Sequence, residues 1–321
     1  MRSLRLLRWQ LAHSRRPILF GPWTGELGLE VMYWQPFCHW LTAGLDVTRL
    51  YAVGRGGSGA LVAGQWLDLY GLRPLSEVKA QNIRRGLTQG HMKHLRPTRW
   101  DQAVVRDAAR HWTLRSYTWI HPSVMYRATF PWQRGRAPFL GLMQHMDWTA
   151  LPLLPLPVGL SLPRSFYAVK FYGRPTLPLS PDLLRTVVKI VTGLQRRAPV
   201  VTIQTTGCDD HADLDLPVPG LVALAPVDAL TSVSLQAAVI QRARGFVGTY
   251  GGTAQLALRC GIPSLSFYQG GLDGTFFMHL ALSHYVSLQT KIPFTVQNLA
   301  EMGLWSPVHD ALSSLVRPVV A

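Results

Sequence analysis

Apolar residues along the chain follow two alternating rhythms. Short runs of β-branched, aromatic and aliphatic residues predict buried strands over 17–21, 47–53, 118–121, 166–171, 200–204, 221–225, 245–247, 264–268 and 285–289. Between them, apolar positions three and four residues apart predict helices over 29–41, 61–70, 101–115, 182–197, 234–244, 253–259, 275–282, 296–302 and 308–316. In the first of these, Val31, Trp34, Phe37, Cys38 and Leu41 share the buried face, and Pro36 predicts a kink. Such alternation predicts α/β units on parallel sheets. Prolines at 152, 155, 157 and 163 mark a linker. The expected organisation is two doubly wound Rossmann-like domains facing a cleft, over 1–160 and 161–321.

Composition narrows the class. Of 321 residues, 48% are hydrophobic, and the mean hydropathy is +0.11. The most apolar run, 151–162, is broken by proline and too short to cross a bilayer. Lys and Arg number 32 against 17 Asp and Glu, a net charge of +15, which predicts attraction to phosphorylated or other anionic partners. No zinc-finger cysteines, RNP aromatics or lysine-rich tail accompany that charge, so nucleic acid is not an expected partner. The cysteines, Cys38, Cys208 and Cys260, have no metal-type spacing and fit a reducing compartment. Arginines at 2, 5, 8, 15 and 16 precede any acid, and Leu4, Leu7 and Leu11 share a helical face. That segment reads either as a basic anchor on an anionic membrane surface or as a helix packed on its own domain.

Chemistry-bearing residues gather after predicted strands. The turn Gly248-Thr249-Tyr250-Gly251-Gly252-Thr253 lies between a strand and a helix. Its glycines predict positive φ and close backbone approach, and Thr249 or Thr253 could cap the helix, whose free N–H groups suit a phosphate. The spacing is not the dinucleotide fingerprint. A tight connection without a ligand is the bland alternative. Glu26 follows the first strand and is the first candidate for a general base, with Glu30 capping or orienting near the helix start. Arg55, among glycines 54, 56, 57 and 59, either meets an acceptor phosphate or sits in a connector. His121 ends a strand and is either an alternative base or structural. Lys170 and Arg174 flank another strand end. The loop holding Asp209, Asp210, His211 and Asp213 reads as turn chemistry or contacts to a ribose or base, and no metal site is expected.

The stretch from Ala243 to Tyr268 resembles the C-terminal half of GT-B glycosyltransferases, where such a loop holds the donor diphosphate. The segment Phe20-Gly21-Pro22-Trp23-Thr24-Gly25-Glu26-Leu27-Gly28-Leu29-Glu30-Val31-Met32-Tyr33-Trp34 and the strand Tyr167 to Tyr172 are similar to segments of bacterial glycosyltransferases of surface-polysaccharide synthesis. The chain departs from that pattern at Leu29, where tryptophan is common, and at Arg174-Pro175, in place of a serine- or acid-containing turn.

The resemblance implies a GT-B fold with a C-terminal helix returning to the first domain. It implies transfer of a sugar from a nucleotide-sugar to a glycan or lipid-linked hydroxyl acceptor, without a metal or other cofactor. Glu26, or else His121, would deprotonate the acceptor. Lys170, Arg174 and residues 248–253, Tyr250 included, would hold the leaving diphosphate, with Asp210 and His211 near the nucleotide. Trp23, Glu30 and Arg55 would line the acceptor site. The expected location is cytoplasmic, peripheral at the inner membrane face. A sugar-nucleotide epimerase, a pyruvyl-type transferase and a non-catalytic basic sugar- or membrane-binding protein are the alternatives.

Overall fold

The structure, a computed structural model, describes residues 2–89, 94–133, 143–148, 150–204, 212–224 and 228–301. The chain forms two compact units, Met1–Trp148 and Thr149–Ala321.

The first unit opens with helix α1 (Arg2–His13), strand β1 (Ile18–Phe20) and the short helix α2 (Leu27–Leu29). A π-helical turn, Glu30–Trp34, leads into α3 (Gln35–Thr42). The kink expected at Pro36 thus takes the form of a widened turn just ahead of it. Proline has no N–H to give the Met32 carbonyl one turn back. The Trp148 indole donates to that carbonyl instead, at 3.2 Å. Then come β2 (Leu50–Gly54), β3 (Gln65–Asp68), α4 (Leu69–Leu72), α5 (Leu75–Gln89), α6 (Arg99–His111), β4 (Thr118–Ile120) and α7 (Ser123–Gln133).

The four strands are parallel in the order β3-β2-β1-β4. Leu19 and Val53 from the sheet pack with Leu69, Val78, Val104, Val105 and Ala108 from the helices. The helix expected over 61–70 is instead a 3-10 turn, a strand and a short helix. Leu61, Trp66, Leu67 and Leu69 satisfy either period in so short a run. Pairing decides it: Trp66 lies against Gly54 and Gly59, where a Cβ would collide with its ring. Those glycines make room for an indole, not for a ligand.

The second unit contains β5 (Tyr167–Lys170), β6 (Tyr172–Gly173), α8 (Pro181–Gln195), β7 (Val200–Thr202), β8 (Ala212–Asp213), β9 (Val222–Ala223) and α9 (Ser232–Ile240). It continues with β10 (Gly245–Thr249), α10 (Gly252–Arg259), β11 (Ser264–Tyr268), α11 (Gly274–Thr290) and β12 (Phe294–Asn298). Six strands form a parallel sheet in the order β12-β11-β10-β5-β7-β9, while β6 and β8 make a separate antiparallel pair. Tyr167, Val169, Val247, Leu265 and Phe267 pack on Leu183, Val187, Ile190 and Leu194 of α8. Strands buried on both faces read as continuous apolar runs, which is why β5, β10 and β11 were legible.

Near the C-terminal end two expectations fail. Residues 285–289 are not a strand but the last turns of α11, where Leu282, Ser283 and Val286 share a buried face. The helix ends at Lys291, whose φ of 57° is left-handed. Residues 296–301 are not one helix: Val296 to Asn298 belong to β12, paired in parallel with β11, and a 3-10 turn, Leu299–Glu301, follows. The terminal helix over 308–316 lies outside the described residues, as do Asp210 and His211.

Candidate functional site

Each sheet has one place where the strand order reverses, and there the loops beyond the carboxyl ends diverge and leave a crevice for a ligand. In the first unit that place is between β1 and β4. In the second it is between β5 and β10. Trp23, Glu26 and His121 follow β1 and β4 at the first of these places, Lys170, Arg174 and residues 248–253 lie at the second, and Arg55 follows β2 instead.

In the second unit, β10 runs into α10 through Tyr250 and Gly251. Helix α10 begins without a side-chain cap, its N-cap being Gly251. A left-handed backbone is not what the glycines supply: Gly251, at φ 164°, is extended, and neither Gly248 nor Gly252 is left-handed. Gly248 is an inner strand position whose Cβ would run into the Lys170 carbonyl. At Gly251 a Cβ would meet the Tyr172 hydroxyl and, at 2.6 Å, Arg174 Nη1. Glycine is needed there because two side chains close over the helix start. The uncapped N–H groups, the positive end of the helix and a guanidinium therefore meet at one point, an arrangement suited to an anion.

Neighbouring residues sort into those that face this point and those that build it. Thr249 is fully buried and does not cap α10. Its hydroxyl donates to Tyr172 O at 3.0 Å and accepts from Tyr172 N at 2.9 Å, tying β6 to β10. Thr249→Val is expected to cost about 1–3 kcal/mol by orphaning both backbone groups, with Thr249→Ser close to wild type in urea unfolding. Lys170, buried at the end of β5, pairs with Asp213 at 3.5 Å and lies 3.5 Å from Gln236 Oε1. Its charge is thus shared with Asp213, a partner that sequence reading had placed in a turn. Tyr250 is buried edge-on to Phe276 and Phe294, and Thr253 is buried in the first turn of α10. His279, on α11, was not anticipated. Burial, then the charge of Arg174, push its pKa down to about 4 against an opposing Asp273, so it is neutral at neutral pH.

In the first unit, Glu26 stands exposed at the N-cap position of α2, beyond the end of β1. Its carboxylate is near enough to Tyr126 to add to burial in raising that phenol above its ordinary range. Trp23 is fully buried, its ring stacked on Trp34, His94 and Tyr126 at 5.8, 5.1 and 6.5 Å. It is a wall of the site rather than an exposed platform.

Glu30 is also buried. Burial raises its pKa to about 7, against lowering by half-buried Arg55, Ser58 and Gln35, while Asp68 adds to the rise. The folded state therefore holds a proton that the unfolded chain releases near pH 4.5, so stability is full below that pH and falls as pH rises towards 7. Glu30→Gln is expected to remove that fall and to stabilise the protein at pH 8 by on the order of 3 kcal/mol. His279 acts oppositely over this range, so the readout is the difference in melting temperature between variant and wild type from pH 4.5 to 8.

Beneath these residues lies a polar network that sequence reading missed. Asp101 pairs with Arg85, both buried. Arg85 Nη1 donates to Thr24 Oγ1 at 2.6 Å, and Thr24 N donates to His94 Nε2 at 3.3 Å. His121 Nδ1 accepts from Ser123 N at 3.0 Å, which leaves the proton on Nε2, 3.5 Å from Asp101 Oδ2. Burial lowers the His121 pKa below its ordinary value, against the pull of Asp101. Each of its nitrogens is engaged inside the domain, an orienting rather than a proton-abstracting geometry. Among the described residues, His94, Asp101 and His121 bring ligand atoms within 4.8 Å of one another. Arg85 already neutralises that carboxylate, so a metal ion would have to compete with a guanidinium.

No protein-family model matches the chain, and no curated protein does. Among solved structures it is similar to the glycosyl transferase family 9 from Veillonella parvula DSM 2008, at 11% identity over 94% of this chain and 96% of that one, TM-score 0.45. It is similar to the iron-containing dodecameric glycosyltransferase TibC from enterotoxigenic E. coli H10407, at 13% identity over 81% of this chain and 60% of that one, TM-score 0.44. It is also similar to the E. coli heptosyltransferase WaaC with ADP, at 11% identity over 81% and 89% of the two chains, TM-score 0.41. At such identities no residue role passes from those proteins to this one.

Proposed function

We propose that the protein is a glycosyltransferase that takes a sugar from a nucleotide-sugar donor, held mainly by the second unit, to a hydroxyl acceptor bound by the first. The observation that carries this reading is the pairing of Arg174 with the uncapped start of α10 beside Gly251, at the strand-order reversal of the second sheet. A diphosphate seated there would meet N–H donors and a guanidinium fork, and the same groups would stabilise the charge that develops as the glycosidic bond to it breaks. With Arg174 in that role, the transfer is proposed to need no metal.

Glu26 is the proposed general base, being an exposed carboxylate beyond β1. Glu30 is buried and His121 is committed to Ser123 and Asp101. The acceptor is proposed to be a glycan or a lipid-linked sugar in surface-polysaccharide synthesis, on the resemblance of residues 20–34 and 167–172.

The test is a thermal-shift screen of the whole chain against nucleoside diphosphates and nucleotide-sugars, with and without EDTA, repeated on Gly251→Ala. The expected result is a shift from one nucleotide class, indifferent to EDTA and lost in the variant. No shift from any nucleotide would sink the reading, and conversion of the donor with no acceptor present would move it to an epimerase.

A further inference from the structure

The outward face of α1 has no role in either site. Its inward face is settled: Leu4 and Leu11 are buried, Arg8 donates to Ala43 O at 3.4 Å and lies over Trp40 at 5.7 Å, and Arg49 donates to Leu11 O at 3.2 Å. The helix therefore packs on its own unit, as one of the two sequence readings required.

What remains outside is unusual for a solvated helix. Trp9 is 57% exposed and Leu6 54%, and at three residues apart they are neighbours on the helix surface. Trp9 lies against His13, ring centroids 4.3 Å apart with the planes tilted by 31°, while His13 Nδ1 lies 2.8 Å from Trp9 O. Arg5 is exposed on the same side, Arg15 and Arg16 are exposed just past the helix end, and no acid occurs before Glu26.

From this we infer that the outer face of α1 docks the protein on an anionic lipid surface, with Trp9 and Leu6 entering the interface and Arg5, Arg15 and Arg16 meeting the headgroups. The charge decides the occupant. An aromatic and an aliphatic side chain beside Arg5, in a segment with no carboxylate before Glu26, match a surface that is apolar just beneath a negative layer. Tryptophan, with an apolar ring and one N–H, suits that boundary. A second copy of the same face would set arginine against arginine. The inference stands apart from the glycosyl-transfer reading, since neither Trp9 nor Leu6 belongs to the donor or acceptor residues.

The experiment is co-sedimentation of the full chain with vesicles of phosphatidylcholine alone or with about one-third phosphatidylglycerol. Wild type is expected to bind the anionic vesicles at least about tenfold more tightly, more weakly as salt is raised. Leu6→Ser with Trp9→Ser is expected to lose about tenfold with an unchanged melting temperature, because both side chains are already exposed. Arg5→Gln with Arg16→Gln is expected to weaken binding and flatten its salt dependence. Equal binding by the serine variant, or no binding by wild type to either vesicle, overturns the inference. A dimer in light scattering that the serine variant abolishes also overturns it, assigning the face to a second copy. The nucleotide thermal shift is read separately, so its failure and this one are distinguishable.

Discussion

Arg174→Ala is expected to lower the rate of sugar transfer by about 10²–10³-fold, the usual loss when one preorganised group facing developing charge is removed. The basis is how firmly the side chain is placed. Residues 174–177 form a turn closed by two backbone bonds, Arg174 N to Leu177 O at 3.1 Å and Leu177 N to Arg174 O at 2.8 Å. Its Thr176 carbonyl accepts from Gln269 N at 2.8 Å and Gly270 N at 3.3 Å, so the loop after β11 holds the turn from the other side. Gly271, at φ 62°, has no Cβ because Pro175 O occupies that space.

A guanidinium on so fixed a base loses little entropy when it meets a phosphate, and its fork spans two oxygens. Arg174→Lys is expected to recover part of the rate and less of the nucleotide affinity, because an ammonium keeps the charge but not the fork. Gly251→Ala should mimic Arg174→Ala while leaving the fold intact, since the added methyl displaces the Tyr172 hydroxyl and Arg174 Nη1. Steady-state kinetics with the donor found by thermal shift, and circular dichroism for the fold, check both variants. A full rate and an undiminished nucleotide shift in Arg174→Ala would remove the diphosphate site from this loop.

The parallel strands were legible because burial on both faces writes them as unbroken apolar runs, as in Tyr167–Lys170 and Ser264–Tyr268. Their carboxyl ends were legible for the same reason, which is how Glu26 and Arg174 came to notice. What the sequence did not disclose is which glycine serves which neighbour. Gly54, Gly59, Gly248 and Gly251 look alike in a row of letters, yet the first two accommodate Trp66, the third a carbonyl, and the fourth two side chains. Residues 285–289 failed as a strand because a buried helical face and a strand share their local spacing. The partners of Lys170 and His121 stayed hidden because Asp213 and Asp101 are long-range contacts. One signal was in plain view: Thr98 followed three residues later by Asp101 is a helix-start pattern, and it fixes the carboxylate on which the first unit's polar interior is built.

Asp101→Ala is expected to destabilise the first unit by about 3–5 kcal/mol, the range for removing one member of a buried ion pair. Asp101 is fully buried and meets four demands at once. It pairs with Arg85, accepts from Thr98 N and from the Thr98 hydroxyl at 2.7 Å each, and faces His121 Nε2 at 3.5 Å. Without it the Arg85 guanidinium keeps, among the described residues, Thr24, His94 and the face of Trp100, 5.3 Å away, in buried surroundings. A deficit of that size is a large share of a domain's stability, commonly about 5–15 kcal/mol. Should the variant not fold, Asp101→Asn keeps the size and the Thr98 contacts and should fall between.

The pH dependence has a definite sign. Burial alone would raise the Asp101 pKa, but the bond from His121 and the charge of Arg85 outweigh it and hold the carboxyl below its ordinary range. Its contribution is present above about pH 4, the unfolded value, and is lost as pH falls further through the folded one. Urea unfolding at pH 7 and pH 3 should therefore show wild type converging on Asp101→Asn at the lower pH. Equal separation of the two proteins at both pH values would mean that the charge of Asp101 does not hold Arg85 in place.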